Sequence, residues 1–143
     1  MDPLTYKLDF NGGILQRGFW LYVWEIIPPS GPTLHYVDRT GDSSSLNAQS
    51  PFNRMGQHLG FNVNSNVLRR HLNSAQVQPE QCRFRLVSHG PILEESDLLH
   101  EHRERRDKVA ALERDLAVAM RTAGYKVVNE VHCRGAVEME RFS

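Results

Sequence analysis

A run of aromatic and β-branched residues from Gly18 to Ile27 constrains the fold of this chain more than any other segment. Such a composition is typical of a buried β-strand. The segment from Pro28 to Pro32 contains three prolines and cannot continue a ladder of backbone hydrogen bonds, so it predicts a turn. Residues Leu34 to Val37 then predict the returning strand. The sequence therefore predicts a β-hairpin at the start of the fold.

Two helices are predicted after the hairpin. Ser50 is a favourable N-cap and Pro51 suits the first helical position, so a helix is expected to run from there to Leu59. Arg54 and His58 lie four positions apart and therefore share one face of this helix. A second, short helix is expected from Ser65 to Leu72.

A third strand is predicted from Cys82 to Ser88, and a long helix from about Glu95 to Thr122 that ends at Gly124. At 100° per residue, Glu113 falls inside the apolar arc of this helix. That arc contains Val109, Leu112, Leu116, Met120 and Ala123. A carboxylate on a core-facing side must be paired, protonated or bound to a cation. Glu113 is therefore the acid most expected to have a function.

The whole chain of 143 residues is predicted to form one domain with a core at about residues 18–130. Tyr125 to Asn129 resumes an extended run, and residues 134–143 are expected to be loosely ordered. The predicted elements follow the order β-β-α-α-β-α, which indicates a mixed α/β (α+β) fold.

The charges are balanced overall but unevenly distributed along the chain. Seventeen Lys and Arg residues match seventeen Asp and Glu residues, so no global positive field attracts a polyanion. Residues 51–90, however, carry five arginines against the single acid Glu80. These arginines are Arg54, Arg69, Arg70, Arg83 and Arg85. On charge alone, this region is either an ordinary solvated surface or a track for nucleic acid.

The two cysteines, Cys82 and Cys133, are too few for a disulfide framework and lack metal-site spacing, so a reducing cytoplasm is expected. No apolar stretch approaches the length of a membrane span, and no membrane association is expected. His100 and His102 form a possible metal pair, but such a pair at the start of a charged helix is usually a surface feature.

Six polar residues follow one another in a particular order along these elements. They are Tyr22, Tyr36, Arg54, His58, Glu113 and Asn129. Each alone has an ordinary structural explanation, as a core aromatic, a surface charge or a turn former. As an ordered set, they are compatible with a site that cuts phosphodiester bonds.

This ordered set resembles the GIY-YIG endonucleases, from about Gly18 to Asn129. Trp20-Leu21-Tyr22 is similar to the first motif of that family, and Tyr36-Val37-Asp38 is similar to the second. Arg54 with His58 resembles the arginine helix. Glu113 resembles the metal-binding glutamate, and Asn129 the asparagine that follows it. The resemblance implies a small three-stranded antiparallel sheet flanked by helices.

The resemblance also implies a metal-dependent DNA endonuclease that nicks as a monomer or cuts both strands as a homodimer. Mg²⁺, with Mn²⁺ as a possible substitute, would be held by Glu113, and Arg54 would clamp the phosphate. Tyr22 would act as the general base or relay to it, with His58 as the competing base. Tyr36 would bind phosphate or water, and Asn129 would hold the site together. The arginines of residues 51–90 would bind the DNA backbone, and RNA stays open as a substrate.

Two residues depart from the family pattern, because Trp20 and Asp38 stand where the motifs have glycine. A carboxylate at position 38 either repels the phosphate or assists the cation. A nucleic-acid-binding module on the same fold, with catalysis weakened or lost through Asp38, is therefore the alternative function. A plain interaction domain with a coincidental polar set is the second alternative.

Overall fold

The fold is a four-stranded mixed sheet with helices packed on both faces. A computed structural model describes residues 2–42, 48–62 and 66–129. The strands are β1 (Phe19–Ile27), β2 (Leu34–Arg39), β3 (Arg83–Leu93) and β4 (Lys126–Val127). The α-helices are α1 (Pro51–Leu59), α2 (Val67–Ser74) and α3 (Leu99–Thr122). Short 3-10 helices span Gly12–Leu15 and Pro79–Gln81.

The sheet has the strand order β3-β1-β2-β4. β1 pairs antiparallel with both β2 and β3, which confirms the predicted hairpin and the third antiparallel strand. β4 adds a fourth strand parallel to β2, so the expectation of three strands is wrong by this one addition. A parallel neighbour requires a crossover connection, which α3 supplies. The mixed α/β class is confirmed.

Local capping signals place α1 within the predicted limits. The Ser50 hydroxyl accepts a hydrogen bond from the backbone N–H of Asn53 at 3.3 Å, and Pro51 occupies the first turn. α3 instead begins at Leu99, later than the predicted Glu95, because the Ser96 hydroxyl accepts from the backbone N–H of Leu98. The predicted start of α2 at Ser65 lies outside the described residues.

The main core lies between one face of the sheet and helices α1 and α2. Tyr22, Trp24 and Ile26 alternate along β1 and pack against Leu68 and Leu72 of α2. On the opposite face, Val109 of α3 packs with Phe19 and Ala48. The sheet is therefore covered by α1 and α2 on one side and by α3 on the other.

The buried face of α3 is rotated from the predicted apolar arc. Glu113 points inward as predicted, but Leu112 is 42% exposed. The buried residues of this helix are His102, Val109, Ala110, Glu113 and Ala117. His102 is fully buried beside the ring of Phe19, whereas His100 is exposed. The two histidines therefore do not share a site.

The remaining predictions concern the two cysteines, the end of α3 and the C-terminal residues. Cys82 is a free, half-buried thiol, and Cys133 and residues 134–143 lie outside the described residues. Gly124 ends α3 as predicted, with a φ of +97° that favours glycine. Within the described ranges, no helix has the length and apolar character needed to cross a membrane.

Candidate active site

The register of the hairpin brings three polar side chains to one face of the sheet. Tyr22 on β1 lies directly opposite Asp38 on β2. Tyr36 precedes Asp38 by two residues and therefore shares its face. All three side chains are buried. The hydroxyls of both tyrosines therefore lie beside the Asp38 carboxylate in one buried polar cluster.

Helix α1 adds Arg54 and His58 to the same cluster. His58 is buried, and its Nε2 lies 2.7 Å from the Tyr22 hydroxyl. The Arg54 Nε donates to the same hydroxyl at 3.4 Å. The i, i+4 spacing places both side chains on one helix face, and the capped start of α1 directs that face toward β1. Four of the six residues of the ordered set therefore meet.

Asp38 is the common partner of this group. Its Oδ2 lies 2.9 Å from the His58 Nε2 and accepts from the Tyr22 hydroxyl at 3.1 Å. The same oxygen accepts longer hydrogen bonds, both 3.4 Å, from the Tyr36 hydroxyl and the Arg54 Nη2. The sequence identified Asp38 only as a departure from a glycine motif. Its position two residues after Tyr36 was the signal that it belongs to the cluster.

The tyrosines of this cluster are held in the protonated form. Burial raises the pKa of Tyr22 well above its ordinary value, and the charge of Asp38 raises it further, while Arg54 opposes the shift. Burial and Asp38 likewise raise the pKa of Tyr36. Arg54 therefore lowers the Tyr22 pKa by less than burial and Asp38 raise it. Both tyrosines act as hydrogen-bond donors here.

Asp38 is held in the ionised form in spite of its burial. Burial alone would raise its pKa, but the hydrogen bond from His58 and the charges of His58 and Arg54 keep the pKa below its ordinary value. Arg54 also lies 3.4 Å from the carboxylate of Asp42 and donates to the Gln57 amide oxygen. The cluster is consequently a set of donors arranged around one buried negative charge.

Glu113 lies on the other face of β2, where Arg39 pairs with it. The Arg39 Nη1 donates to the Glu113 Oε2 at 2.7 Å, and the two side chains are 15% and 7% exposed. Burial raises the pKa of Glu113 to about 8, and the charge of Asp38 raises it as well, while Arg39 lowers it. A proton and the Arg39 guanidinium therefore compete for the same carboxylate. No local pattern in the sequence indicates this pairing.

This raised pKa predicts how stability depends on pH. Below the ordinary pKa of 4.5, Glu113 is protonated in both the folded and the unfolded protein. As pH rises toward 8, the unfolded chain releases the proton first, so stability contributed by the protonated group is lost. We expect the unfolding free energy of the wild type to fall relative to Glu113→Gln by about 3 kcal/mol between about pH 5 and pH 8. Urea unfolding across this range measures the difference, and parallel profiles would contradict it.

Asn129 supports β2 and makes no described contact with the cluster. Its Oδ1 accepts from the Val37 N–H at 3.2 Å, and its Nδ2 donates to the Val37 carbonyl at 2.7 Å. Arg121 of α3 donates to the Asn129 carbonyl in turn. The side-chain amide thus extends the short β2–β4 pairing. Asn129 is placed to position the strand that carries Asp38 and Arg39.

The predicted basic residues differ in their surroundings. Arg69 donates to the Leu59 carbonyl at 2.8 Å, pairs with Glu80 at 2.5 Å and stacks on the ring of Phe61. It therefore joins α2 to its neighbours. The exposed residues of the set are Arg70 on α2, and Arg83 and Arg85 on β3. Arg85 makes one solvent-exposed contact, to Glu25 at 3.4 Å.

Glu113 is the residue that the resemblance implies as a Mg²⁺ ligand. Mg²⁺ is commonly held by one or two carboxylates together with water and substrate phosphate. Among the described residues, no group of three or more His, Cys, Asp or Glu side chains is arranged to hold a metal ion. Glu113 is thus the candidate protein ligand, and Arg39 occupies one of its oxygens.

Comparison with protein-family models, with curated proteins and with solved structures finds no match to this chain. The resemblance to the GIY-YIG endonucleases stays a prediction that depends on the residues of this sequence.

Proposed function

We propose that this protein is a metal-dependent endonuclease of the GIY-YIG type, which hydrolyses phosphodiester bonds in DNA. One observation carries the proposal: Tyr22, Tyr36, Arg54 and His58 converge on a single carboxylate oxygen of Asp38. Hydroxyl, imidazole and guanidinium groups that converge in this way form a receptor for a small anion.

A phosphate oxygen accepts the same hydrogen bonds as a carboxylate oxygen. Arginine is well suited to this task, because its planar fork of donors matches both groups. A DNA phosphate that replaced the Asp38 carboxylate would therefore find donors already in place. Placing such donors in advance around developing charge is the main way in which proteins stabilise phosphoryl transition states.

The side chains have complementary roles in this proposal. Arg54 binds the phosphate, and the protonated hydroxyls of Tyr22 and Tyr36 donate to its oxygens or to the attacking water. Once Asp38 has been displaced, His58 with an unprotonated Nε2 would accept the proton of that water through the Tyr22 hydroxyl 2.7 Å away. In this role His58 is a base, and Tyr22, Tyr36 and Arg54 remain as the donors to the phosphate. Glu113 would hold Mg²⁺, or Mn²⁺ in its place. Such a cation would supply positive charge that stabilises a phosphoryl transition state.

The test is incubation of the purified protein with supercoiled plasmid in Mg²⁺, in Mn²⁺ and in EDTA. Cation-dependent conversion to nicked circles is expected, because one site per chain cuts one strand. Linear product in addition would indicate that two chains act together. A folded protein that leaves both plasmid and single-stranded RNA intact in either cation would contradict hydrolysis.

A second candidate function is a nucleic-acid-binding module without catalysis. The observation that favours it is the same carboxylate, because Asp38 already fills the position that the scissile phosphate would need. Retention of DNA at low salt without cleavage in any cation supports this function. Absence of both binding and cleavage favours an interaction domain instead.

Two neighbouring arginines on α2 provide a matched test of DNA binding. Arg70→Ala removes an exposed cation, so we expect DNA affinity to fall a few-fold. The slope of log affinity against log salt should decrease by about 0.9 if Arg70 contacts one phosphate. Arg69→Ala instead removes contacts to Leu59 and Glu80, and its main effect is expected on thermal stability. Fluorescence anisotropy at several salt concentrations measures the slopes, and an unchanged slope in Arg70→Ala would exclude it from the interface.

A further inference from the structure

Arg39 holds the carboxylate that the proposed function assigns to the cation. Its Nη1 lies 2.7 Å from the Glu113 Oε2, and both side chains are largely removed from solvent. The Arg39 Nε is also buried, and within the described ranges it makes no hydrogen bond. A buried guanidinium N–H without an acceptor costs free energy. The Arg39–Glu113 pair is therefore less stable than a fully hydrogen-bonded pair, and a cation can displace Arg39 from the carboxylate more easily.

Asp38 and Arg39 are adjacent residues that occupy opposite faces of β2. On one face, the Asp38 carboxylate accepts hydrogen bonds from the polar cluster around Tyr22. On the other face, the Arg39 guanidinium donates to the Glu113 carboxylate. The Asp38 Oδ1 also accepts from the Arg39 backbone N–H at 2.7 Å. One residue therefore stands where the phosphate would bind, and the next stands where the cation would bind.

The backbone after this pair is fixed. Thr40 is fully buried, its N–H donates to the Trp20 carbonyl, and its hydroxyl bonds both the Trp20 N–H and the Gly18 carbonyl. These contacts restrict the backbone beside Arg39, so rotation of the Arg39 side chain is the simplest way to release Glu113.

We infer that Arg39 competes with the divalent cation for Glu113 and thereby sets the affinity of the site for metal. This inference rests on the proposed function, since it assigns a ligand to the same glutamate. The cation and the Arg39 guanidinium compete for the same carboxylate charge, so the free protein binds metal weakly.

The test measures Mn²⁺ binding without DNA, from the decrease of the free-ion electron paramagnetic resonance signal. Arg39→Gln removes the charge but keeps an amide that can donate to Glu113, and we expect Mn²⁺ affinity to rise at least about tenfold, equivalent to about 1.4 kcal/mol. The double variant Arg39→Gln with Glu113→Gln should lose this gain. Arg103→Gln, on the exposed side of α3, removes the same charge and should leave affinity at the wild-type level.

Unchanged Mn²⁺ affinity in a folded Arg39→Gln variant would overturn the inference. If that variant does not fold, Arg39→Lys keeps a positive charge opposite Glu113 but loses the planar fork, and a gain of about threefold is expected. No gain in a folded Arg39→Lys variant would also count against the inference. If Arg39→Gln binds Mn²⁺ tightly but the wild type does not cleave plasmid, the proposed nuclease function is contradicted and the competition between Arg39 and the cation is supported. If the wild type cleaves plasmid but Arg39→Gln shows no gain in Mn²⁺ affinity, the nuclease function is supported and the competition is contradicted.

Discussion

Replacing Glu113 with glutamine is expected to reduce Mg²⁺-dependent nicking of supercoiled DNA by at least about a hundredfold, while the protein stays folded. Glu113 is the one buried carboxylate on α3, and it is the protein ligand proposed for the cation. Glutamine keeps the shape of the side chain but lacks the charge that a hard divalent cation requires. Loss of a cation that neutralises the transferring phosphoryl group removes several kcal/mol of transition-state stabilisation.

The matched control is Glu104→Gln, which removes an exposed carboxylate from the same helix. Nicking by this variant should remain at the wild-type level. Circular dichroism and thermal unfolding should verify that Glu113→Gln is folded, because the substitution leaves Arg39 opposite a neutral amide. Retained Mg²⁺-dependent nicking in folded Glu113→Gln would remove this residue from the cation role.

Replacing Asp38 with glycine is expected to raise both DNA affinity and turnover by about tenfold, because it removes a negative charge from the proposed phosphate position. The donors of Tyr22, His58 and Arg54 would then be free to bind the substrate. In the absence of DNA those buried donors lose their acceptor, so thermal stability should fall by about 1–3 kcal/mol. We therefore expect Asp38→Gly to bind and cleave DNA better than the wild type and to be less stable to heat.

Two further substitutions separate charge from space at this position. Asp38→Asn keeps the volume and removes the charge, so any gain in this variant reports electrostatic repulsion. Asp42→Asn is the matched control, because Asp42 shares Arg54 with Asp38 but is more exposed and has no described contact with the tyrosines. A drop in turnover for folded Asp38→Gly would mean that the carboxylate assists catalysis. Single-turnover cleavage and anisotropy distinguish turnover from affinity.

The sequence predicted the part of the site that depends on local signals. Helix α1 begins as predicted because Ser50 caps it and Pro51 suits its first turn, and it ends at Leu59 before the C-cap Gly60. Once α1 packs beside the hairpin, its spacing brings Arg54 and His58 to Tyr22 and Tyr36. These contacts follow from element type and order, which composition and spacing specify well.

The contacts that join distant segments could not be predicted from the sequence. Arg39 and Glu113 are 74 positions apart, and their contact depends on how the α3 crossover docks on β2. β4 has only two residues, too few for an alternating pattern. Arg69 has the composition of a surface cation, yet Leu59, Phe61 and Glu80 surround it. In each case the partner comes from tertiary packing, which a local pattern does not encode.

The adjacent opposite charges of Asp38 and Arg39 have a consequence for strand alignment. A slip of β2 by one residue would exchange its two faces. Arg39 would then meet Arg54 and His58, and Asp38 would meet Glu113, so like charges would be buried together on both sides of the sheet. The two bonds from Asn129 to Val37 hold the strand just before this pair. The opposite charges of Asp38 and Arg39 thus favour the native register of β2 over a register shifted by one residue.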